Sequence, residues 1–223
     1  MLRPGEASAV TTDRPPRGLT LALDVDGVLL DPDRGGTGHW SSELTARFGI
    51  DPEAFRRAFF VAAWDDVVTG RRPIEPALAD GLLALGSTAS VDQVLECWFE
   101  ADFCLIEPAI AFARWAAASG ARVVLATNQE HRRARFLMER LGAAMPLDSV
   151  VHSAAVGAQK HEAIFYDRAS ERLGILRTRR REVVFVDDVL DNVIQARASG
   201  WTAIHADPAG KWIEEAERAL RVT

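Results

Sequence analysis

Two aspartates one residue apart, Asp24 and Asp26, close the apolar run LTLALDVDGVLL, with Gly27 directly behind them. A strand that is apolar on both sides is the buried, parallel kind, so carboxylates in it belong at its end. Residues two apart in an extended chain point the same way. One acid of such a pair can act as a nucleophile while the other gives and takes a proton, and a glycine lets the chain turn sharply beside a ligand. Polar residues end other apolar runs too: Thr127 and Asn128 close ARVVLATN, Asp187 and Asp188 close EVVFVDD, and Lys160 follows the short run SVVHS. The Thr127 hydroxyl and the Asn128 backbone N–H could hold phosphate oxygens just ahead of a helix N-terminus.

Gathered in one crevice, four carboxylates repel one another by roughly 4 kcal/mol for a pair about 4 Å apart at an effective dielectric near 20. Positive charge is therefore required. A divalent cation with oxygen ligands fits, and a site without thiolates or clustered histidines favours Mg²⁺ over Zn²⁺. Lys160 adds a fixed charge, and the two together could neutralise a dianionic phosphoryl group. Lysine is scarce in this chain, with only Lys160 and Lys211 among 26 basic residues, so its placement is informative.

The elements that must position these groups alternate. IEPAIAFARWAAASG, QEHRRARFLMERLG, AQKHEAIFYDRASERLG and VLDNVIQARASG read as helices, the first two ended by Gly120 and Gly142, and the strands ARVVLATN, SVVHS, EVVFVDD and WTAIHAD lie among them. Alternation of this kind predicts a parallel sheet with right-handed crossovers, an α/β Rossmann-like core over 18–38 and 106–223. Its ligand site lies outside the carboxyl ends of the strands. Residues 39–105 break the rhythm. Their segments open on Ser, Asp or Pro start signals and carry no convincing strand, which predicts an inserted all-helical cap domain. Residues 1–17 read as a flexible tail and DPDRGGTGHW as a Gly-rich loop.

Composition excludes several classes. With 223 residues, 48% apolar and 26% charged, the chain can bury a full core. No run approaches the roughly 18–20 apolar residues of a membrane helix, and the N-terminus lacks a secretory pattern, so a cytoplasmic protein without a membrane partner is expected. A net charge of -6 argues against a nucleic-acid partner. The basic run RTRRRE reads as a solvated loop, and Cys97 and Cys104 as small core residues rather than a disulfide or metal pair.

DVDGVL resembles the first motif of the haloacid dehalogenase superfamily, LATN its second, Lys160 in SAAVGAQKHEAIF its third, and VVFVDDVLDNVIQARASGW its fourth, in the family's order. The resemblance implies Asp24 as nucleophile, Asp26 as general acid/base, Thr127 as phosphate ligand, and Lys160 as a brace for nucleophile and phosphate. Mg²⁺ would take Asp24, the backbone carbonyl of Asp26, and Asp188, with Asp187 as second ligand or water holder. The family's third motif often reads Lys-Pro; here His161 follows Lys160, which leaves room for a displaced helix start while the lysine's role is expected to survive. An insertion at residues 39–105 matches the helical C1 cap of subfamily I. That subfamily implies a small phosphorylated metabolite as substrate; a monomer or homodimer is expected. A cap without lysine argues against the Schiff-base phosphonatases, and Asp26 with the acidic pair argues against metal-free dehalogenases. A phosphoglucomutase-like transferase and a non-catalytic metabolite-binding protein remain as alternatives. Within the cap, Trp64, Arg56, Arg57, Trp98 and Phe59 read as bundle core or surface, and His39 and Trp40 as hinge packing. Arg132, Arg133 and Arg135 read mostly as a solvated helix face, and Asn192 as either an ordinary polar helix residue or a support for the acidic loop.

Overall fold

The computed structural model describes residues 18–31, 39–207 and 211–222; the expected tail at 1–17, most of the Gly-rich loop and the His39 side chain lie outside them. Five parallel strands form one sheet: β1 (Thr20–Leu23), β2 (Arg122–Thr127), β3 (Ser149–His152), β4 (Val183–Asp187) and β5 (Thr202–His205), in the order β3-β2-β1-β4-β5. β1 is central and all four of its residues are buried, which is why its sequence is apolar on both sides.

Between β1 and the rest of the sheet the chain runs through α1 (His39–Phe48), α2 (Pro52–Phe55), α3 (Ala62–Val68), α4 (Ile74–Ala84) and α5 (Val91–Ala101). Asp51 caps α2 by accepting from the Ala54 N–H, and Ser90 caps α5 by accepting from the Gln93 N–H. A π-helical stretch, Arg56–Val61, joins α2 to α3. This insertion has a core of its own, built on Leu44, Phe55, Phe59, Leu78, Leu95 and Trp98. Its two crossings run side by side, since Asp31 N–H donates to the Cys104 carbonyl and Ile106 N–H to the Leu29 carbonyl.

The remaining helices are α6 (Glu107–Ala118), α7 (His131–Ala144), the short α8 (Ser153–Val156), α9 (Ala163–Leu173), α10 (Leu190–Ala198) and α11 (Trp212–Val222). They cover both faces of the sheet. Leu21, Leu23, Val123 and Leu125 pack on one side with Ile110, Leu137 and Leu220; Ala22, Val124, Ala126 and Phe185 pack on the other with Phe165, Tyr166 and Val193. Alternate residues of one strand thus enter opposite layers, as the strand period requires. Among the described residues no helix is long and apolar enough to cross a membrane, and Cys97 and Cys104 form no disulfide.

Some boundaries differ from expectation. Gly142 does not end its helix but lies within α7, which stops instead at Met145, held extended (φ -150°, ψ 156°) ahead of Pro146. α9 begins at Ala163, so Lys160 stands in the connection before it rather than in its first turn. The RTRRRE run is a short 3₁₀ helix with no buried residue.

Candidate active site

The carboxyl ends of β1, β2 and β4 bring the expected polar residues together. Asp24 follows β1 and donates its backbone N–H to the Val186 carbonyl at 2.9 Å, which fixes it beside the end of β4. Its side chain is buried against Lys160, with Nζ 2.5 Å from Oδ2. Lys160 also reaches Asp187, Nζ to Oδ2 2.6 Å, and is itself only 2% exposed. One ammonium thus bridges two buried carboxylates. The Lys160 backbone N–H donates to Asn128 Oδ1 at 2.9 Å, so the Asn128 side chain anchors the lysine segment to the end of β2.

Burial dominates the protonation of this set. It pushes the Asp24 carboxyl up to about 7, with Lys160 opposing the rise and Asp187 adding to it. Burial pulls the Lys160 ammonium down, but Asp24 and Asp187 together more than offset it, so its pKa ends above the usual lysine value. Asp188, although exposed as a residue, is raised by the partial desolvation of its carboxyl and then by Asp187.

Asp24, Asp187 and Asp188 each offer an oxygen within 4.8 Å of the others, a hard-oxygen set of the kind that holds a divalent cation. The two acids of β4's end have different surroundings. Asp187 is fully buried and accepts from Lys160 Nζ, from the Val189 N–H at 2.8 Å, and from Asn192 Nδ2 at 3.1 and 3.3 Å. Asp188 is exposed and lies over Gly27, whose φ is 77°; a Cβ there would stand 2.3 Å from Asp188 Oδ2. Gly27 therefore provides both the turn and the space for the Asp188 carboxylate. Asn192 braces Asp187, and Tyr166 Oη in turn donates to the Asn192 carbonyl at 2.8 Å.

Thr127 is buried at the end of β2. The helix behind it is not open at its first turn, because the buried Glu130 carboxylate accepts from the Arg132 N–H at 2.6 Å and from the Arg133 N–H. Burial raises the Glu130 carboxyl, those two donors opposing it. A ligand at this end is left with groups ahead of Glu130.

Asp26 stands apart from the other acids. Its Oδ2 accepts from Gln129 Nε2 at 2.7 Å and its Oδ1 lies 2.8 Å from an Arg133 guanidinium nitrogen. Arg133 is buried, not part of a solvated face, and Arg132 bridges to Asp92 (2.8 Å) and Glu75 (3.5 Å) of the insertion. A positive charge beside Asp26 was not expected from the sequence, since helical spacing alone does not say which arginine of EHRRARF faces inward. Arg56 and Arg57 pair with Glu53 at the surface, whereas Phe59 and Trp98 are core and Trp40 and Trp64 are half-buried against them.

An open parallel sheet with a lysine-bridged acid set at its strand ends and a helical insertion behind the first strand defines a Rossmann-like α/β protein with its site at the carboxyl edge. The chain belongs to the haloacid dehalogenase-like hydrolases, whose family model matches residues 19–200. A predicted HAD-like family hydrolase from Porphyromonas gingivalis is 19% identical, with TM-score 0.68 over 92% of this chain and 98% of that one. A magnesium complex of a HAD family enzyme from Bacteroides thetaiotaomicron is 15% identical, with TM-score 0.65 over 84% and 92%. The L-2-haloacid dehalogenase of Xanthobacter autotrophicus, with chloropropionic acid covalently bound, is 18% identical with TM-score 0.57 over 83% and 76%. At these identities the solved structures share the fold. No curated protein matches the chain by sequence.

Proposed function

We propose that the protein is a Mg²⁺-dependent phosphohydrolase acting on a small phosphorylated metabolite through an aspartyl-phosphate. The observation that carries this reading is the buried Asp24 carboxylate, 2.5 Å from Lys160 and within 4.8 Å of two further acids. Lys160 keeps one Asp24 oxygen oriented and offsets the repulsion of an incoming phosphoryl group. Asp24 attacks phosphorus through a carboxylate oxygen, the bond to the ester oxygen breaks, and Asp26 protonates that leaving oxygen. Water then attacks phosphorus, Asp26 takes its proton, phosphate leaves and the Asp24 carboxylate is restored. Thr127 and the Asn128 N–H hold phosphate oxygens. Mg²⁺, held by Asp24, the Asp26 carbonyl and Asp188 with Asp187 behind them, would supply the charge that lets acids and phosphate share the site.

The insertion, residues 39–105, acts as a cap that excludes water and carries the substrate contacts. Its closeness to the core supports this: Gly70, at φ 72°, comes so near α8 that a Cβ would stand 2.3 Å from the Ala154 carbonyl oxygen. The dehalogenase among the similar structures marks the competing chemistry. The test is release of phosphate from a panel of phosphorylated metabolites and an aryl phosphate, with Mg²⁺ and with chelator, beside halide release from a 2-haloacid. Chelator-sensitive phosphate release, lost in Asp24→Asn, is expected; halide release without phosphate release would overturn the proposal.

A further inference from the structure

Arg133 differs from the arginines around it in where its charge is placed. It rises from α7 of the core, yet its guanidinium lies 5.5 Å from the Trp98 ring centroid and one of its nitrogens 3.8 Å from Asp102 Oδ2, both residues of the insertion. The same nitrogen is 2.8 Å from Asp26 Oδ1. Asp102 Oδ2 is fixed in turn by Trp98 Nε1 at 2.7 Å, and the second Asp26 oxygen by Gln129. Side-chain exposure is 7% for Arg133 and 6% for Asp102 but 36% for Asp26. Asp26 is thus the open end of a buried polar chain that begins in the insertion.

A buried guanidinium needs a carboxylate partner, and one would be enough. Arg133 has two, from different parts of the fold, and the tighter contact is to Asp26. Both contacts fall on one guanidinium nitrogen, whose two N–H directions are fixed by the planar group, whereas a lysine ammonium rotates freely. We propose that Arg133 is a positioning residue that couples the cap to the general acid/base: Trp98 and Asp102 hold the guanidinium, and the guanidinium with Gln129 sets the direction of the Asp26 carboxylate. Proton delivery to the leaving oxygen then depends on the seated cap, and an unseated cap leaves Asp26 unaligned. The inference rests on the assignment of Asp26 in the proposed function.

Its test uses the dependence of kcat/KM on the leaving group across substituted phenyl phosphates, from p-nitrophenyl to p-methoxyphenyl, with Mg²⁺ present. A poor leaving group needs the proton and a good one does not. Arg133→Met is expected to lower kcat/KM about 10²-fold for the p-methoxyphenyl ester, the size of a typical general-acid contribution, and to lower it far less for the p-nitrophenyl ester. Asp26→Ala should steepen the dependence in the same way, the double variant no further, and Arg133→Lys less than Arg133→Met. Asp102→Asn keeps the oxygen that accepts from Trp98 but removes the charge facing Arg133, and should steepen it too; this variant decides the matter if Arg133→Met does not fold. A uniform loss across the series in Arg133→Met, beside a steepened dependence in Asp26→Ala, would make Arg133 a packing residue and overturn the inference alone. An Asp26→Ala series parallel to wild type would remove the acid assignment and the inference with it.

Discussion

Lys160→Met probes the electrostatic design of the site directly. The ammonium lies 2.5 Å from Asp24 and 2.6 Å from Asp187, and the two carboxyl residues are 5% and 0% exposed. Methionine keeps most of the length and none of the charge, so two buried carboxylates lose their shared partner. Removing one member of a buried ion pair costs about 3–5 kcal/mol, and for a chain of this size each kcal/mol moves the melting midpoint by about 2–4 °C. The variant should melt about 6–20 °C lower than wild type near pH 8 in chelator. The pH dependence has a definite sign. Asp24 is pushed up to about 7 chiefly by burial, with Lys160 holding it down, so without the lysine it rises further. A carboxyl raised in the folded state contributes its stability in full below its unfolded pKa of about 4 and loses it as pH rises through the folded value. The Lys160 ammonium, itself raised, stays charged throughout that range. The gap between wild type and variant must therefore narrow from about pH 8 to about pH 5, and Mg²⁺ should restore part of it. Thermal melts followed by circular dichroism over that range decide it. Equal stability near pH 8, or a gap that widens on acidification, would refute the reasoning.

Other variants test neighbouring parts. Gly27→Ala places a Cβ 2.3 Å from Asp188 Oδ2 at a φ of 77°, so half-maximal phosphate release should need at least about tenfold more Mg²⁺, read from a metal titration, corresponding to a loss of about 1.4 kcal/mol. Asp188→Asn should raise the Mg²⁺ needed for half-maximal phosphate release with little change in the chelated melt, whereas Asp187→Asn, which disturbs Lys160 and Asn192, should lower that melt as well. Gly70→Ala must push the insertion off the Ala154 carbonyl and should raise KM more than it lowers kcat. Asp51→Ala removes the cap bond to the Ala54 N–H at 2.8 Å, and should cost about 1 kcal/mol of stability by denaturant titration without changing phosphate release.

The strand ends were legible because a buried strand tolerates carboxylates nowhere else, and the register of β1 with β2 and β4 then brings the ends of all three strands together. Asp51 and Ser90 were legible as start signals for the same local reason that makes them caps. What stayed hidden depends on contacts distant in sequence. Arg133 and Arg132 adjoin on one helix, yet one faces Asp26 and the other the acids of the insertion, and only the docked insertion decides which. Gly142 looks like a helix end from its type alone; Pro146, by holding Met145 extended, sets the true one. The π-helical stretch Arg56–Val61 has no sequence mark, because its backbone pattern answers to the packing of Phe55 and Phe59 into the insertion's core.

Charge bears on which hydrolase chemistry the site suits. Asp26 is paired with Arg133, whose charge it shares with the more distant Asp102. Asp24, Asp187 and Asp188 share one ammonium, Lys160, so three negative charges against one positive leave two uncompensated when all are ionised. Burial raises the Asp24 and Asp188 carboxyls, and the Asp187 charge adds to that rise in both, so each is the readier to take a proton. A 2-haloacid brings a carboxylate and no counterion, and would meet that excess directly. On the proposed reading a divalent cation would cancel it, would keep Asp24 ionised for attack, and would let Lys160 face a phosphoryl oxygen as well. Asp187 has its oxygens engaged by Lys160, Val189 and Asn192, so on that reading the exposed Asp188 is the acid of the pair that would meet the metal.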